Sequence, residues 1–214
     1  MSELSYRTRP AAGSAQGLLV LHHGRGTSEL DLLPLADALD PEHRLHVVAP
    51  RGPLELPGSP GYHWYRVPRV GYPDPVTFQA AREALGALHD QVSAHTGIPI
   101  ARTVLGGFSM GTVMSYALAL DPDRPAPAGI LAFSGFIPTV AGWRPELEDR
   151  GGTRVFIAHG RRDPVIDVSF ARAARQLLED AGLEVDYRES EAAHDIDPAD
   201  VVRAGNWLLG TVPA

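Results

Sequence analysis

Three side chains that together could activate a hydroxyl group for nucleophilic attack lie in separate parts of this sequence. They are Ser109, Asp163 and His194, in that order along the chain. A serine hydroxyl is a weak nucleophile at neutral pH, so it needs a nearby base, and that base needs a group that orients it. The residue types therefore point to attack on a carbonyl carbon through a covalent acyl intermediate.

The sequence around Ser109 favours this interpretation. An apolar run leads into Gly107-Phe-Ser-Met-Gly111, and a helix-forming apolar run follows at once. A G-x-S-x-G pattern between a strand and a helix is the nucleophile elbow, whose sharp turn exposes the serine hydroxyl. Both glycines are expected because side chains there would collide with strand and helix. The pattern alone is weak, and a small residue in a glycine-rich turn is the alternative.

Asp163 and His194 follow the last two predicted strands, where ligands of open α/β sheets bind. In hydrolases with such an elbow, an acidic residue and then a histidine follow the serine. Asp163 is the preferred carboxylate over Asp167, which we expect inside or at the cap of the next helix. A turn before that helix is the other interpretation of Asp163. Four further histidines are predicted to be helix-capping or surface residues: His43, His46, His89 and His95.

The negative charge of a tetrahedral intermediate needs two backbone N–H donors. One comes from the residue after the nucleophile, Met110, and the other from a loop after an early strand. Arg25, in His23-Gly-Arg-Gly26, fits the second position. Its side chain is predicted to pair with Glu29, and the alternative is that it faces an acidic substrate. We expect no metal site, because no group of histidines and carboxylates has the spacing of metal ligands.

Strands and helices alternate along the chain, which predicts an α/β fold with a mostly parallel sheet and helices on both faces. We expect a single domain over residues 1–214, without a large cap domain. An antiparallel edge strand is predicted over residues 5–9. The other predicted strands are residues 17–22, 44–49, 100–105, 129–133, 154–158 and 183–188. The predicted helices are residues 29–39, 75–97, 110–120, 169–181 and 198–209.

Two connections are irregular, residues 50–75 and 134–152. The first contains aromatic residues that either form a small satellite core or line a pocket. The second is too short for a helical cap domain, so we expect an open, shallow site. By their loop positions, Trp64, Phe136 and Val165 are predicted to bind the acyl group.

Composition restricts the partners. The net charge is −7, and the 19 basic residues are dispersed, which argues against a nucleic-acid partner. No apolar run approaches the ~20 residues that cross a bilayer, so stable membrane anchoring is not expected. The first residues lack the layout of a secretory signal and cysteine is absent, so a cytoplasmic location is predicted. A monomer or a homodimer is expected.

Taken together, these motifs resemble the phospholipase/carboxylesterase group of α/β-hydrolases, which includes the acyl-protein thioesterases. The resemblance covers nearly the whole chain and also includes His159-Gly-Arg-Arg-Asp163-Pro-Val and the pair Trp64-Tyr65. It implies a cofactor-free serine carboxylesterase that acts on small esters with short to medium acyl groups. Relatives commonly have glutamine and glycine where Met110 and Thr112 stand, and an apolar residue at Arg25, so substrate preference does not carry over.

Other functions stay open at this point. A thioesterase or a lysophospholipase would use the same three side chains, and sequence does not separate them from a carboxylesterase. A dinucleotide-dependent reductase is suggested by Gly24-Arg-Gly26 after a strand, although the third glycine of G-x-G-x-x-G is missing. A hydrolase-fold protein that only binds a small ligand is the non-enzymatic alternative.

Overall fold

A seven-stranded sheet lies at the centre of the computed structural model, which describes residues 4–212. Residues 1–3, which belong to the segment predicted to lack the layout of a secretory signal, lie outside the described residues. The strands of this sheet are β1 (Tyr6–Arg9), β2 (Leu18–His22), β3 (His46–Pro50), β6 (Thr103–Phe108), β7 (Gly129–Phe133), β8 (Arg154–Gly160) and β9 (Val185–Ser190). A two-stranded hairpin of β4 (Leu54–Glu55) and β5 (Tyr62–His63) lies outside it.

The order of strands across the sheet is β1-β3-β2-β6-β7-β8-β9. Only β1 runs antiparallel to its neighbour, and every other pair in this sheet is parallel. The predicted mostly parallel sheet with an antiparallel edge strand is thereby confirmed. Strands β6 and β9 begin and end two or three residues later than predicted. The carboxyl ends of β6, β8 and β9 lie at one edge, where they bring distant loops together.

Alternate residues of each central strand face two separate cores. On β2, Leu18 and Val20 belong to one hydrophobic cluster, and Leu19 and Leu21 belong to the other. This period of two is the geometry of a strand buried on both faces. The first core is covered by α2 (Pro75–Thr96), α3 (Met110–Ala119) and α4 (Ser169–Asp180), and the second by α1 (Leu33–Leu39) and α5 (Pro198–Thr211).

No helix within residues 4–212 combines the length and the apolar character that a membrane span requires. The connection over residues 134–152 is mostly loop with one short turn of helix at Glu148–Arg150, and it adds no cap domain.

Two elements differ from the sequence-based prediction. Helix α1 begins at Leu33 rather than at residue 29, because Pro34 lacks a backbone N–H and fits only the first turn of a helix. Residues 29–32 form turns instead. The second difference is the β4–β5 hairpin, which pairs Leu54 with His63 inside the connection predicted to be irregular. Its two-residue strands lie among glycines and prolines, so the sequence shows no alternation of apolar and polar residues that would predict them.

The prediction that His89 is a surface or capping histidine is wrong. Its side chain packs in the core under α2, with the ring stacked on that of His22 at 5.5 Å between centroids. Within residues 4–212, Nε2 of each ring is buried without a hydrogen-bond partner. Burial and the nearby Arg124 guanidinium lower the pKa of His89 to about 3, although Asp90 acts in the opposite direction. Burial also lowers the pKa of His22 well below its ordinary value.

Replacement of His89 by leucine should reduce the sensitivity of the fold to acid. The unfolded chain protonates this histidine near pH 6.5 while the folded protein keeps it neutral down to about pH 3, so stability falls as the pH decreases through that window. Within that window, one histidine of this kind lowers the free energy of unfolding by about 1.4 kcal/mol for each pH unit of acidification. Urea unfolding at pH 7, 6, 5 and 4 should give a shallower loss of unfolding free energy for His89→Leu. An unchanged slope would contradict the buried, neutral state.

Candidate active site

Ser109 occupies a strained backbone conformation between β6 and α3. Its φ of 55° and ψ of −119° lie in a region that residues with a side chain rarely adopt. Backbone strain of this kind persists only where the surroundings enforce it. Here the Ser109 N–H donates to the carbonyl oxygen of Phe133 at 2.9 Å, and α3 begins at the next residue. This is the sharp strand-to-helix turn that the sequence predicts.

The two glycines of the turn are required by close packing. A Cβ atom on Gly111 would lie 1.8 Å from the carbonyl oxygen of His22, and one on Gly107 would lie 2.5 Å from the carbonyl carbon of Gly111. No side chain fits at such separations, because both neighbours are backbone atoms. The start of α3 can therefore lie directly against the ends of β2 and β6 only with glycine at these positions.

Ser109, His194 and Asp163 form a continuous chain of hydrogen bonds. His194 Nδ1 lies 2.6 Å from Asp163 Oδ2, and Nε2 lies 2.9 Å from Ser109 Oγ. Because the carboxylate only accepts, Nδ1 carries the proton, and Nε2 is left to accept from the serine hydroxyl. The Asp163 carboxylate is fully buried, whereas the His194 side chain is 19% exposed. The structure therefore brings together all three side chains selected from the sequence.

Asp163 is held as a carboxylate by several donors. Its Oδ1 accepts from the backbone N–H groups of Val165 and Ile166 at 2.8 and 2.9 Å. Burial raises the pKa of Asp163, but the hydrogen bonds from His194 and from these two N–H groups more than offset it, so the net pKa is lowered. His159 Nε2 lies 3.3 Å from the same carboxylate and donates to the Ile166 carbonyl oxygen at 2.8 Å.

Asp167, the alternative to Asp163 as the partner of His194, lies elsewhere. Asp167 is exposed, and its Oδ1 accepts from the backbone N–H of Ser169 at the start of α4. Asp167 therefore lies directly before the N-cap residue of α4, Val168, and not inside the helix. The loop that carries His194 is held in part by Arg162, whose N–H donates to the Ala192 carbonyl oxygen at 3.1 Å. The ring of Phe108 packs on the imidazole of His194, with 5.0 Å between centroids.

Two backbone N–H groups beside Ser109 are available to an anion. Met110 is the first residue of α3, so its N–H has no partner within the helix. Arg25 lies in the turn after β2, and both residues line the cleft that contains Ser109. Within the part of the chain that the structure describes, neither N–H donates to another group. The helix N-terminus adds partial positive charge at this point.

Trp64 does not line the cleft, contrary to its predicted place in the acyl pocket. Its side chain is fully buried, and Nε1 donates to the carbonyl oxygen of His23 at 2.8 Å. The Trp64 N–H also lies 3.4 Å from the sulfur of Met110. His23 Nε2 in turn accepts from the Gly52 N–H at 2.9 Å. These contacts fasten the loop that carries Arg25, a positioning role that depends on distant contacts and that sequence reasoning missed.

The cleft beside Ser109 is shallow, with a volume of about 60 Å³. Phe136 and Val165, two of the residues predicted to bind the acyl group, line it, and so does Tyr65, the neighbour of Trp64. A larger surface cleft of about 670 Å³ lies at residues 139–144 and includes none of the three hydrogen-bonded side chains. The complete lining of the small cleft is Arg25, Tyr65, Val67, Val70, Ser109, Met110, Phe136, Val165 and Ile166.

The predicted ion pair between Arg25 and Glu29 does not form. Glu29 is bound instead by Arg51, whose Nε and Nη2 lie 2.6 and 2.5 Å from its two carboxylate oxygens. The hydrogen bonds from Arg51 lower the pKa of Glu29, although burial opposes them. Residues 25–29 precede α1, and Thr27 pairs with Tyr62 in an isolated antiparallel β-bridge. Arg25 is exposed at the mouth of the cleft.

The structure gives little support to a dinucleotide-binding site or to a metal site. No helix opens after Gly24-Arg-Gly26, because α1 begins only at Leu33, so a dinucleotide phosphate would lack the helix N-terminus it needs. Residues 4–212 contain no group of three or more histidine, cysteine, aspartate or glutamate side chains that could hold a metal ion.

Comparison with known proteins agrees with this geometry. The family model described as phospholipase/carboxylesterase matches residues 6–209. The chain belongs to the phospholipase/carboxylesterase family. The resemblance read from the motifs is thereby confirmed, and the layered sheet is that of an α/β-hydrolase. Membership supports hydrolase activity of the carboxylesterase and acyl-protein thioesterase type.

Individual relatives are distant but cover most of the chain. Acyl-protein thioesterase 1 of Yarrowia lipolytica is 26% identical over 93% of this chain and 93% of its own length. Esterase YpfH of Escherichia coli is 27% identical over 93% of this chain and 84% of its own. Among solved structures, the carboxylesterase of Bacillus cereus has a TM-score of 0.84 at 25% identity, covering 97% and 94% of the two chains.

Substitution of Gly135 tests the packing that supports the elbow. A Cβ atom on Gly135 would lie 2.4 Å from Cβ of Thr112, whose hydroxyl lies 2.6 Å from the Gly107 carbonyl oxygen and 2.7 Å from that of Phe133. Gly135→Ala should therefore destabilise the protein by about 2 kcal/mol through overpacking.

Thr112→Gly removes the obstructing atoms, so Gly135→Ala should cost much less when it is introduced into that variant. Urea unfolding of both single variants and the double variant measures this coupling. Strictly additive effects would refute the proposed contact between the two positions.

Proposed function

We propose that this protein is a serine carboxylesterase that hydrolyses small esters with short acyl groups. The observation that carries the proposal is the unbroken chain of hydrogen bonds from Asp163 through His194 to Ser109. In this proposal Ser109 is the nucleophile, His194 the general base, and Asp163 the residue that orients the imidazole. Such a constellation is recognised by its geometry and by the roles of its members.

The reaction follows from the proton positions. Ser109 Oγ attacks the ester carbonyl carbon while His194 Nε2 takes the hydroxyl proton, and the carbonyl oxygen gains negative charge. The N–H groups of Arg25 and Met110 stabilise that charge, and one such donor is typically worth about 3–4 kcal/mol. His194 then gives the proton to the departing alcohol. Water repeats the sequence on the acyl-enzyme and releases the acid.

The shape of the site supports small substrates. The cleft beside Ser109 is shallow, and apart from Arg25 and Ser109 its lining is apolar or aromatic. Phe136, Val165 and Tyr65 would contact the acyl group. Relatives named as esterases and as acyl-protein thioesterases share the fold, and a thioester would use the same three side chains. Thioester hydrolysis is therefore the second candidate, and graded oxygen esters with matched thioesters distinguish the two.

Ser109→Ala should abolish the hydrolysis of 4-nitrophenyl acetate and butyrate. Loss of the nucleophile typically costs at least about a thousandfold in kcat. The matched control is Ser134→Ala, because Ser134 is also buried, lies near the elbow and has a positive φ, but its hydroxyl has no partner within residues 4–212. The control should hydrolyse both esters at close to the original rate. Substantial activity in folded Ser109→Ala would reject the proposed function.

A further inference from the structure

Arg25 is a charged side chain at the cleft with no evident structural task. The guanidinium has no carboxylate within 4.0 Å among the described residues, and the residue is exposed. The carboxylate nearest to it in sequence, Glu29, is bound on both oxygens by Arg51 and is only 2% exposed. Arg51 also lies over the ring of Tyr62 at 4.4 Å, which completes that pairing without Arg25.

The surroundings of Arg25 favour a negatively charged ligand. Among the described residues that line the cleft, Arg25 alone is charged, and the others are apolar or aromatic apart from Ser109. Burial, and then the positive charge of Arg25, lower the pKa of His63. An unpaired guanidinium beside an apolar surface is suited to bind a carboxylate or a phosphate through two parallel hydrogen bonds.

We propose that Arg25 selects esters that carry a carboxylate or phosphate group several bonds from the reacting carbonyl. This inference rests on the proposed esterase function and names its substrate class. The separation between the anionic group and the reacting carbonyl follows from the structure of arginine. In the proposed mechanism the backbone N–H of Arg25 faces the carbonyl oxygen, whereas its guanidinium lies at the far end of a long side chain. An anion that it binds must therefore be separated from the carbonyl by several atoms.

Matched pairs of anionic and neutral esters test this selectivity. For the acyl side, mono-4-nitrophenyl adipate is compared with its methyl ester. For the leaving group, 4-acetoxybenzoate is compared with its methyl ester, and 4-acetoxyphenyl phosphate is compared with its dimethyl ester, because a monomethyl ester would keep one negative charge. The readout is the ratio of kcat/KM for the anionic member to that for the neutral member. Both esters of a pair undergo the same chemical step, to which the Arg25 backbone N–H contributes. A change in that step therefore affects both kcat/KM values and cancels in their ratio.

In at least one pair, Arg25→Leu should lower this ratio at least about tenfold, the size expected for a charged hydrogen bond near solvent. Arg25→Lys should retain part of it, because the charge remains but the paired donors are lost. The matched control is Arg203→Leu, which removes an exposed positive charge from α5, outside the cleft. That variant should keep the original ratio. Added salt should lower the ratio of the unmodified protein and leave that of Arg25→Leu nearly constant.

An equal ratio in the unmodified protein and in Arg25→Leu, across all three pairs, would overturn the inference. If neutral esters are still hydrolysed in a Ser109-dependent way, the proposed esterase function survives that result. If the unmodified protein hydrolyses neither member of any pair, the esterase function fails and the inference fails with it. If Arg203→Leu lowers the ratio as much as Arg25→Leu does, general surface charge explains the effect and the assignment to Arg25 is wrong.

Discussion

The hydrogen bond between His194 and Asp163 is the interaction on which the site depends. It places the proton on Nδ1, and only then can Nε2 accept the proton of Ser109. Neighbouring groups support this orientation. Two backbone N–H groups keep Asp163 ionised, and the Phe108 ring packs on the imidazole of His194. The sheet contributes by bringing the carboxyl ends of β6, β8 and β9 to one edge.

Much of this arrangement is predictable from the sequence because it depends on local patterns. Period-two burial marks the strands, and the order of Ser109, Asp163 and His194 matches the loops that follow them. The predictions failed where contacts between distant segments decide the outcome. The burial of His89 depends on its packing against β2, and no pattern within α2 reveals it. The catalytic roles of Ser109, Asp163 and His194 stay predictions.

The loop after β2 shows most clearly why spacing alone is insufficient. Arg25 is predicted to pair with Glu29, but Glu29 binds Arg51, a partner 22 residues away. Trp64 was expected at the cleft surface, yet it lies beneath this loop and holds the carbonyl of His23. These two differences together leave Arg25 at the mouth of the cleft. Substrate preference is therefore proposed from contacts that only the folded chain provides.

The central claim is that Asp163 and His194 activate Ser109, and reaction with a fluorophosphonate probe tests it most directly. Mass spectrometry of the labelled protein should place the adduct on Ser109. The labelling rate should fall at least about a hundredfold in Asp163→Asn, which disturbs the imidazole tautomer, and stay unchanged in Asp167→Asn, since an asparagine oxygen can still accept from the Ser169 N–H. An adduct on another residue, or equal labelling rates in the two variants, would contradict the account.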